Sequence, residues 1–98
     1  MLIFDNSFLR SLPGDPDTRQ HSRQVKDACW SVAVPTPVVA PTLLAWSREV
    51  AASLDLDPTA MESPALLSAL SGNALLPGMS PYASCYGGHQ FGNWAGQL

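Results

Sequence analysis

Three prolines within seven residues constrain the fold of this chain more than any other feature. Pro35, Pro37 and Pro41 each lack the backbone N–H that a helix interior or a central strand requires. The segment around them is therefore predicted to run extended across another surface. Directly before it, the Ser-Val-Ala-Val run at residues 31–34 is typical of a short strand.

Helix-start signals predict short helices on both sides of this segment. Ser47 precedes Arg-Glu-Val-Ala-Ala-Ser-Leu and is a good N-cap. Ser63 followed by Pro64 opens a second helix, which Gly72 closes because glycine tolerates the left-handed backbone conformation. Its buried stripe is predicted to comprise Leu66, Leu67 and Leu70.

Weaker helix signals lie near both ends of the chain. Phe8, Leu9 and Leu12 suit a short helix capped by Asn6 or Ser7. Ser80-Pro81 repeats the cap-then-proline signal and predicts a short helix over residues 81–86. The last ten residues, 89–98, read as one extended stretch. Within it, Gly92 and Gly96 indicate a bulge or the close approach of another backbone.

The composition indicates an α+β chain with more apolar surface than it can bury alone. Hydrophobic residues make up 46% of the 98 positions and charged residues only 13%, against about 25% charged in a typical domain. We therefore expect a single segment, residues 1–98, that is incomplete as a domain. Seven apolar side chains are expected to lack cover: Val32, Val34, Val38, Val39, Phe91, Trp94 and Leu98. Such patches favour self-association.

A polar run interrupts the N-terminal part of the chain. Residues 13–27 contain Pro-Gly and Asp-Pro turn signals, and we predict a mobile surface loop there. Its basic residues, Arg19, Arg23 and Lys26, are interpreted as a solvated face.

Charge and hydropathy exclude several classes of partner. The formal net charge is −3 and no basic stripe is present, so nucleic acid is not expected as a partner. No apolar run approaches the roughly 18 residues of a membrane span. The N-terminus lacks the basic region of a secretory signal. We therefore expect a cytoplasmic protein.

No catalytic, cofactor-binding or metal-ligating residue is assigned from the residue pattern. Cys85 and His89 could share a metal ion or act as nucleophile and base. A buried thiol beside a hydrogen-bonded histidine is the favoured interpretation, because no further ligand cluster or orienting group is visible. Cys29 and Cys85 are expected to be free thiols. The Gly-Gly-His-Gln-Phe-Gly run has neither the lysine of a P-loop nor the strand–turn–helix context of a dinucleotide fingerprint.

Several long motifs resemble the selenoprotein O-like (YdiU) family. The longest is LLPGMSPYASCYGGHQFGNWAGQL at residues 75–98; others are FDNSFLRSLPGDP, PTPVVAPTLLAWS and REVAASL. Together they cover nearly the whole chain in order. The resemblance implies a protein-kinase-like fold of the pseudokinase type. It also implies ATP and Mg²⁺ as cofactors, and transfer of AMP to serine, threonine or tyrosine hydroxyls of protein substrates.

The resemblance also implies that the working residues lie outside this chain. In the family, a Gly-Asp-Gly-Arg nucleotide-binding turn and the kinase-like catalytic and metal-binding residues follow the position of Leu98. We therefore expect an N-terminal fragment, inactive alone, that acts as a scaffold. His89, Gln90 and Asn93 are predicted to hydrogen-bond to that turn. The alternative is a non-enzymatic binding module.

Overall fold

The computed structural model describes residues 2–97, and the chain divides into two compact units. Unit 1 comprises residues 2–5 and Pro35–Met79; unit 2 comprises Asn6–Val34 and residues 80–97. The elements are α1 (Ser7–Ser11), β1 (Trp30–Val32), α2 (Arg48–Ser53), α3 (Pro58–Met61), α4 (Pro64–Leu70), β2 (Tyr82–Ser84), β3 (Gly87–Gln90) and β4 (Asn93–Gln97). Short helices and antiparallel strand pairs confirm the α+β class.

The helices of unit 1 start where side-chain oxygens can accept from free N–H groups. The Ser47 hydroxyl accepts from the Val50 N–H of α2, and the Ser63 hydroxyl accepts from the Leu66 N–H of α4. Both predicted caps are thus confirmed. The sequence analysis missed α3, which the Asp57 carboxylate caps by accepting from the Ala60 N–H at 2.7 Å.

The core of unit 1 is very small. Only Ala51 and Leu66, 4% and 5% exposed, are buried apolar residues within residues 2–97. The predicted stripe on α4 is therefore only partly right. Leu67 is half-buried and Leu70 is 65% exposed.

A side-chain amide fixes the proline-rich segment to the end of α4. Asn73 Oδ1 accepts from the Val38 N–H at 2.7 Å, and Asn73 Nδ2 donates to the Val38 carbonyl at 2.9 Å. We call this arrangement a carboxamide clamp: one side-chain amide bonds both the N–H and the C=O of a single residue. No helix or strand forms between Ala33 and Ser47, as the prolines predicted.

Unit 2 contains a two-stranded antiparallel pair where a helix was predicted. Residues 81–86 do not form a helix; β2 pairs with β1, and Ser31 lies opposite Ala83. Six residues would gain few intrahelical bonds, whereas the extended form gains the β1 ladder. It also stacks Tyr82 on Phe8, with 5.1 Å between ring centroids. The strand predicted at residues 31–34 is shorter than expected and begins at Trp30.

The last residues of the structure form a hairpin rather than one extended stretch. β3 and β4 are antiparallel and are joined at Phe91 and Gly92, whose φ angles are +52° and +81°. Positive φ at both central residues is the requirement of a type I′ turn. The register shifts between the Gly87 and His89 pairs, and Gly96 on the longer strand has φ +78°. The bulge predicted at Gly96 is thus confirmed, but no atom approaches within 4 Å of a Cβ built on Gly92 or Gly96.

The apolar side chains predicted to lack cover are exposed. Val39 and Phe91 are 97% and 103% accessible, and the same set includes Val32, Val34, Val38 and Trp94. Leu98, also in that prediction, lies outside the described residues. Among residues 2–97, no helix has the length and apolar character needed to cross a membrane.

Candidate functional site

The three predicted site residues meet at the tip of the β3–β4 hairpin. Gln90 and Asn93 lie directly opposite each other next to the turn, and His89 pairs with Trp94 one position further in. The His89 ring packs edge-on against the Trp94 indole, with 5.2 Å between centroids. His89, Gln90 and Asn93 are all exposed. The structure therefore groups them on one accessible element.

An open cavity of about 380 Å³ lies in unit 2, next to the β1–β2 pair. Its walls come from the loop after α1, from both strands, and from the end of β4. Polar and titratable side chains in the wall include Arg19, His21, Arg23, Ser31, Cys85 and Gln97.

The acidic and basic residues of the loop neutralise one another beside this cavity. Asp17 accepts hydrogen bonds from Arg19 Nε at 3.0 Å and from Arg19 Nη2 at 2.9 Å. This pairing holds the pKa of Asp17 well below its usual range and raises the pKa of Arg19. The pKa of Asp15 is also lowered, first by the Asp17 N–H and then by Arg23. Such carboxylates are weak bases, so neither suits general base catalysis at neutral pH.

The loop is also held by an amide that the sequence analysis did not single out. Gln97 forms a second carboxamide clamp: its Oε1 accepts from the Val25 N–H at 2.6 Å, and its Nε2 donates to the Val25 carbonyl at 2.7 Å. Gln20 acts similarly on β1, because it donates to the Val32 carbonyl and accepts from the Val34 N–H. No sequence signal pointed to either glutamine, since the bonds of Gln97 join residues 72 positions apart and those of Gln20 join residues 12 and 14 positions apart.

The structure places the two residues that could have formed a metal or nucleophile site in different surroundings. Cys85 lines the cavity, whereas His89 packs on Trp94 in the hairpin. Both cysteines are free thiols, as expected. Among residues 2–97, no three His, Cys, Asp or Glu side chains are grouped so as to hold a metal ion.

A second, apolar groove of about 230 Å³ lies within unit 1. Trp46 and Met61 line it together with three exposed residues in or directly after the helices, Val50, Leu54 and Leu70. Almost no polar group faces this groove, so it is suited to packing against apolar side chains rather than to chemistry.

Comparison with known proteins adds a family match over most of the chain. The family model of protein adenylyltransferase SelO matches residues 17–98. A protein nucleotidyltransferase YdiU of Methylobacillus flagellatus is 60% identical over 98 residues, which is 100% of this chain and 19% of that protein. Proteins of the same name from Aromatoleum aromaticum and Tolumonas auensis are 59% and 60% identical over 97 residues.

The chain covers only a small part of these relatives. It spans 18% of the Aromatoleum aromaticum protein and 19% of the Tolumonas auensis protein, while 99% of the chain is aligned in both. No solved structure matches the chain.

Proposed function

Because the chain belongs to the SelO family of protein adenylyltransferases, we propose that it forms the N-terminal part of an ATP-dependent enzyme that attaches AMP to protein hydroxyl groups. The acceptors in this proposal are serine, threonine and tyrosine side chains. The observation that carries the proposal is the 60% identity, along all 98 residues, to a relative named as a protein nucleotidyltransferase.

The proposal assigns the chain a scaffolding role. In this proposal the Mg²⁺ ligands belong to the rest of the enzyme. Two observations support that assignment: among residues 2–97 no three His, Cys, Asp or Glu side chains are grouped, and arginine and backbone N–H groups engage oxygens of Asp15 and Asp17. In this proposal, residues 2–97 take no part in the chemical steps of AMP transfer. In the proposed enzyme, the kinase-like fold, the metal ligands and the catalytic groups are completed by the rest of the protein, and the chain alone is inactive.

The hairpin gives this scaffold a specific task. A type I′ turn and a bulge fix the direction of β4, and Gln97 ties the end of β4 to Val25. We infer that β4 sets the position of a nucleotide-binding turn that follows it. We propose His89, Gln90 and Asn93 as hydrogen-bond partners of that turn; they lie at the hairpin tip, at the other end of β4 from Gln97, so this contact requires the segment after β4 to fold back along the hairpin. The apolar groove of unit 1 packs against the remainder of the enzyme.

The experiment measures nucleotide binding and AMP transfer in the intact enzyme. His89→Ala, Gln90→Ala and Asn93→Ala are each expected to weaken ATP binding by about 3- to 10-fold, the loss of roughly one net hydrogen bond. Thr59→Ala, at an exposed position on α3, is the matched control and should leave affinity unchanged.

Transfer is followed with ATP labelled at the α-phosphate and by mass spectrometry of acceptor proteins. We expect labelled acceptor hydroxyls with the intact enzyme and none with the 98-residue chain. Transfer of the γ-phosphate instead would overturn the proposed reaction. Unchanged ATP affinity in all three hairpin variants, with normal stability, would overturn the proposed role of the hairpin while leaving the reaction intact.

A further inference from the structure

The two cysteines of the chain lie opposite each other across the β1–β2 pair. The antiparallel register places Trp30 opposite Ser84, so the next pair outward is Cys29 opposite Cys85. A backbone hydrogen bond continues the ladder to that pair: the Cys85 N–H donates to the Cys29 carbonyl at 2.9 Å. Both residues are half-buried, and both thiols are free.

This placement meets the main geometric requirement for a disulfide. Directly opposed residues in a hydrogen-bonded antiparallel pair have Cα atoms about 5.5 Å apart and side chains on the same face. Disulfides join residues whose Cα atoms are about 4.4 to 6.8 Å apart. The Cβ atoms of opposed residues are about 4.5 to 5.5 Å apart, against about 3.8 Å in a disulfide. A hydrogen-bonded pair lies at the wide end of that range, so closure needs the two Cβ atoms to approach by about 1.5 to 2 Å, at the end of two strands paired over three residues each.

The two half-buried cysteines differ in their position relative to the cavity of unit 2. Cys85 lines the 380 Å³ cavity of unit 2, and Cys29 does not. We propose that Cys29 and Cys85 are an oxidant-responsive pair, in which a hydroperoxide entering the cavity oxidises Cys85 and Cys29 then closes the disulfide.

The chemistry balances with the hydroperoxide as the only oxidant. The Cys85 sulfur attacks the peroxide, the O–O bond breaks, and water or an alcohol leaves as Cys85 becomes a sulfenic acid. The Cys29 sulfur then attacks the Cys85 sulfur, the S–O bond breaks, and a second water leaves with the Cys29 proton. The disulfide ties β1 to β2 and so joins the two stretches of chain that make up unit 2. A reducing thiol restores both cysteines.

The test compares disulfide formation in native buffer and in denaturant. The intact protein is treated with hydrogen peroxide, remaining thiols are blocked, and the Cys29–Cys85 peptide is quantified by mass spectrometry. Because the native register holds the thiols together, we expect the intramolecular bond to form at least about 10-fold faster in native buffer. Equal rates in the two buffers, or disulfides mainly between chains, would overturn the proposal.

The order of oxidation is tested with single variants. A sulfenic-acid probe such as dimedone should label Cys85 in Cys29→Ser, and should label Cys29 in Cys85→Ser several-fold more slowly. Equal labelling in the two variants, or faster labelling of Cys29, would overturn the assignment of Cys85 as the residue attacked first. Serine is close to cysteine in size, so the β1–β2 pair should be retained in both variants.

Discussion

Removing the Gln97 amide should release the loop of unit 2 at one defined point. Gln97→Ala deletes the acceptor of the Val25 N–H and the donor to the Val25 carbonyl, bonds of 2.6 and 2.7 Å in a half-buried setting. Each bond contributes about 1 kcal/mol net, so the clamp contributes about 2 kcal/mol to holding Val25 closed. A free energy of that size corresponds to about a 30-fold change in an opening equilibrium.

Amide hydrogen exchange at Val25 measures this opening directly, because exchange requires the N–H to leave its acceptor. We expect the protection of the Val25 amide to fall by about 30-fold in Gln97→Ala. Gln97→Glu tests the same two contacts with Val25 by replacing the amide with a carboxylate. The introduced carboxylate can accept from the Val25 N–H but repels the Val25 carbonyl unless it is protonated. Val25 protection in that variant should therefore rise as the pH falls towards the carboxyl pKa.

Gln90→Ala is the matched control for the clamp. Gln90 is a glutamine on the same hairpin, but it is exposed and lies next to the turn, away from Gln97. Its removal should leave Val25 protection unchanged. If the Val25 amide exchanges as an unprotected amide before any substitution, or if Gln97→Ala and Gln90→Ala give the same result, the reasoning about the clamp is refuted.

Three further predictions test the charge network, the core and the turn. Asp17→Asn should reduce the acid sensitivity of the loop. Because the pKa of Asp17 is lowered, its carboxylate stabilises the folded loop above about pH 4, and that contribution is lost as the pH falls through the folded pKa. Amide exchange measured across an acid titration checks this. Leu66→Ala should lower the free energy of unfolding by about 2 kcal/mol, whereas Leu70→Ala, at an exposed position, should cost less than about 0.5 kcal/mol in the same urea titration. Gly92→Ala should destabilise the hairpin by about 1 kcal/mol, because Gly92 has a positive φ and no neighbouring atom would meet the added Cβ. Phe91→Asn should stabilise the hairpin, because asparagine is preferred at this turn position. NMR chemical shifts report the hairpin population, and a shift in the opposite direction in either variant would contradict the prediction for that variant.

The helices of unit 1 could be predicted because their signals are local. Ser47 and Ser63 cap helices through bonds that span only three residues, so the sequence pattern contains all the required information. The same reasoning gave a wrong prediction at Ser80-Pro81, where the serine–proline signal for a helix start is as good as at Ser63-Pro64. There the partner strand lies some fifty residues away in the chain, and pairing with β1 outweighs a helix of one or two turns.

The candidate site was predictable only in part, for a related reason. The position of His89, Gln90 and Asn93 came from a family resemblance, and their clustering depends on a turn whose first residue is Phe91. A phenylalanine at positive φ is unusual, so the Phe-Gly pair did not signal a type I′ turn as Asn-Gly would have done. The Gln97 clamp joins residues 72 positions apart and leaves no local pattern.

Directional hydrogen bonds explain how the chain holds its fold without a large core. Its surface measures 7425 Å², whereas two separate compact proteins of half its mass would together expose only about 6,500 Å². Burial of apolar side chains therefore contributes less here than in an ordinary domain, and the backbone is held by directional bonds: helix caps, carboxamide clamps and the carboxylate–arginine network. These bonds fix where the exposed apolar residues lie but do not cover them. In the proposed enzyme, the rest of the protein supplies that cover, so most of the stability of these 98 residues should come from packing against it.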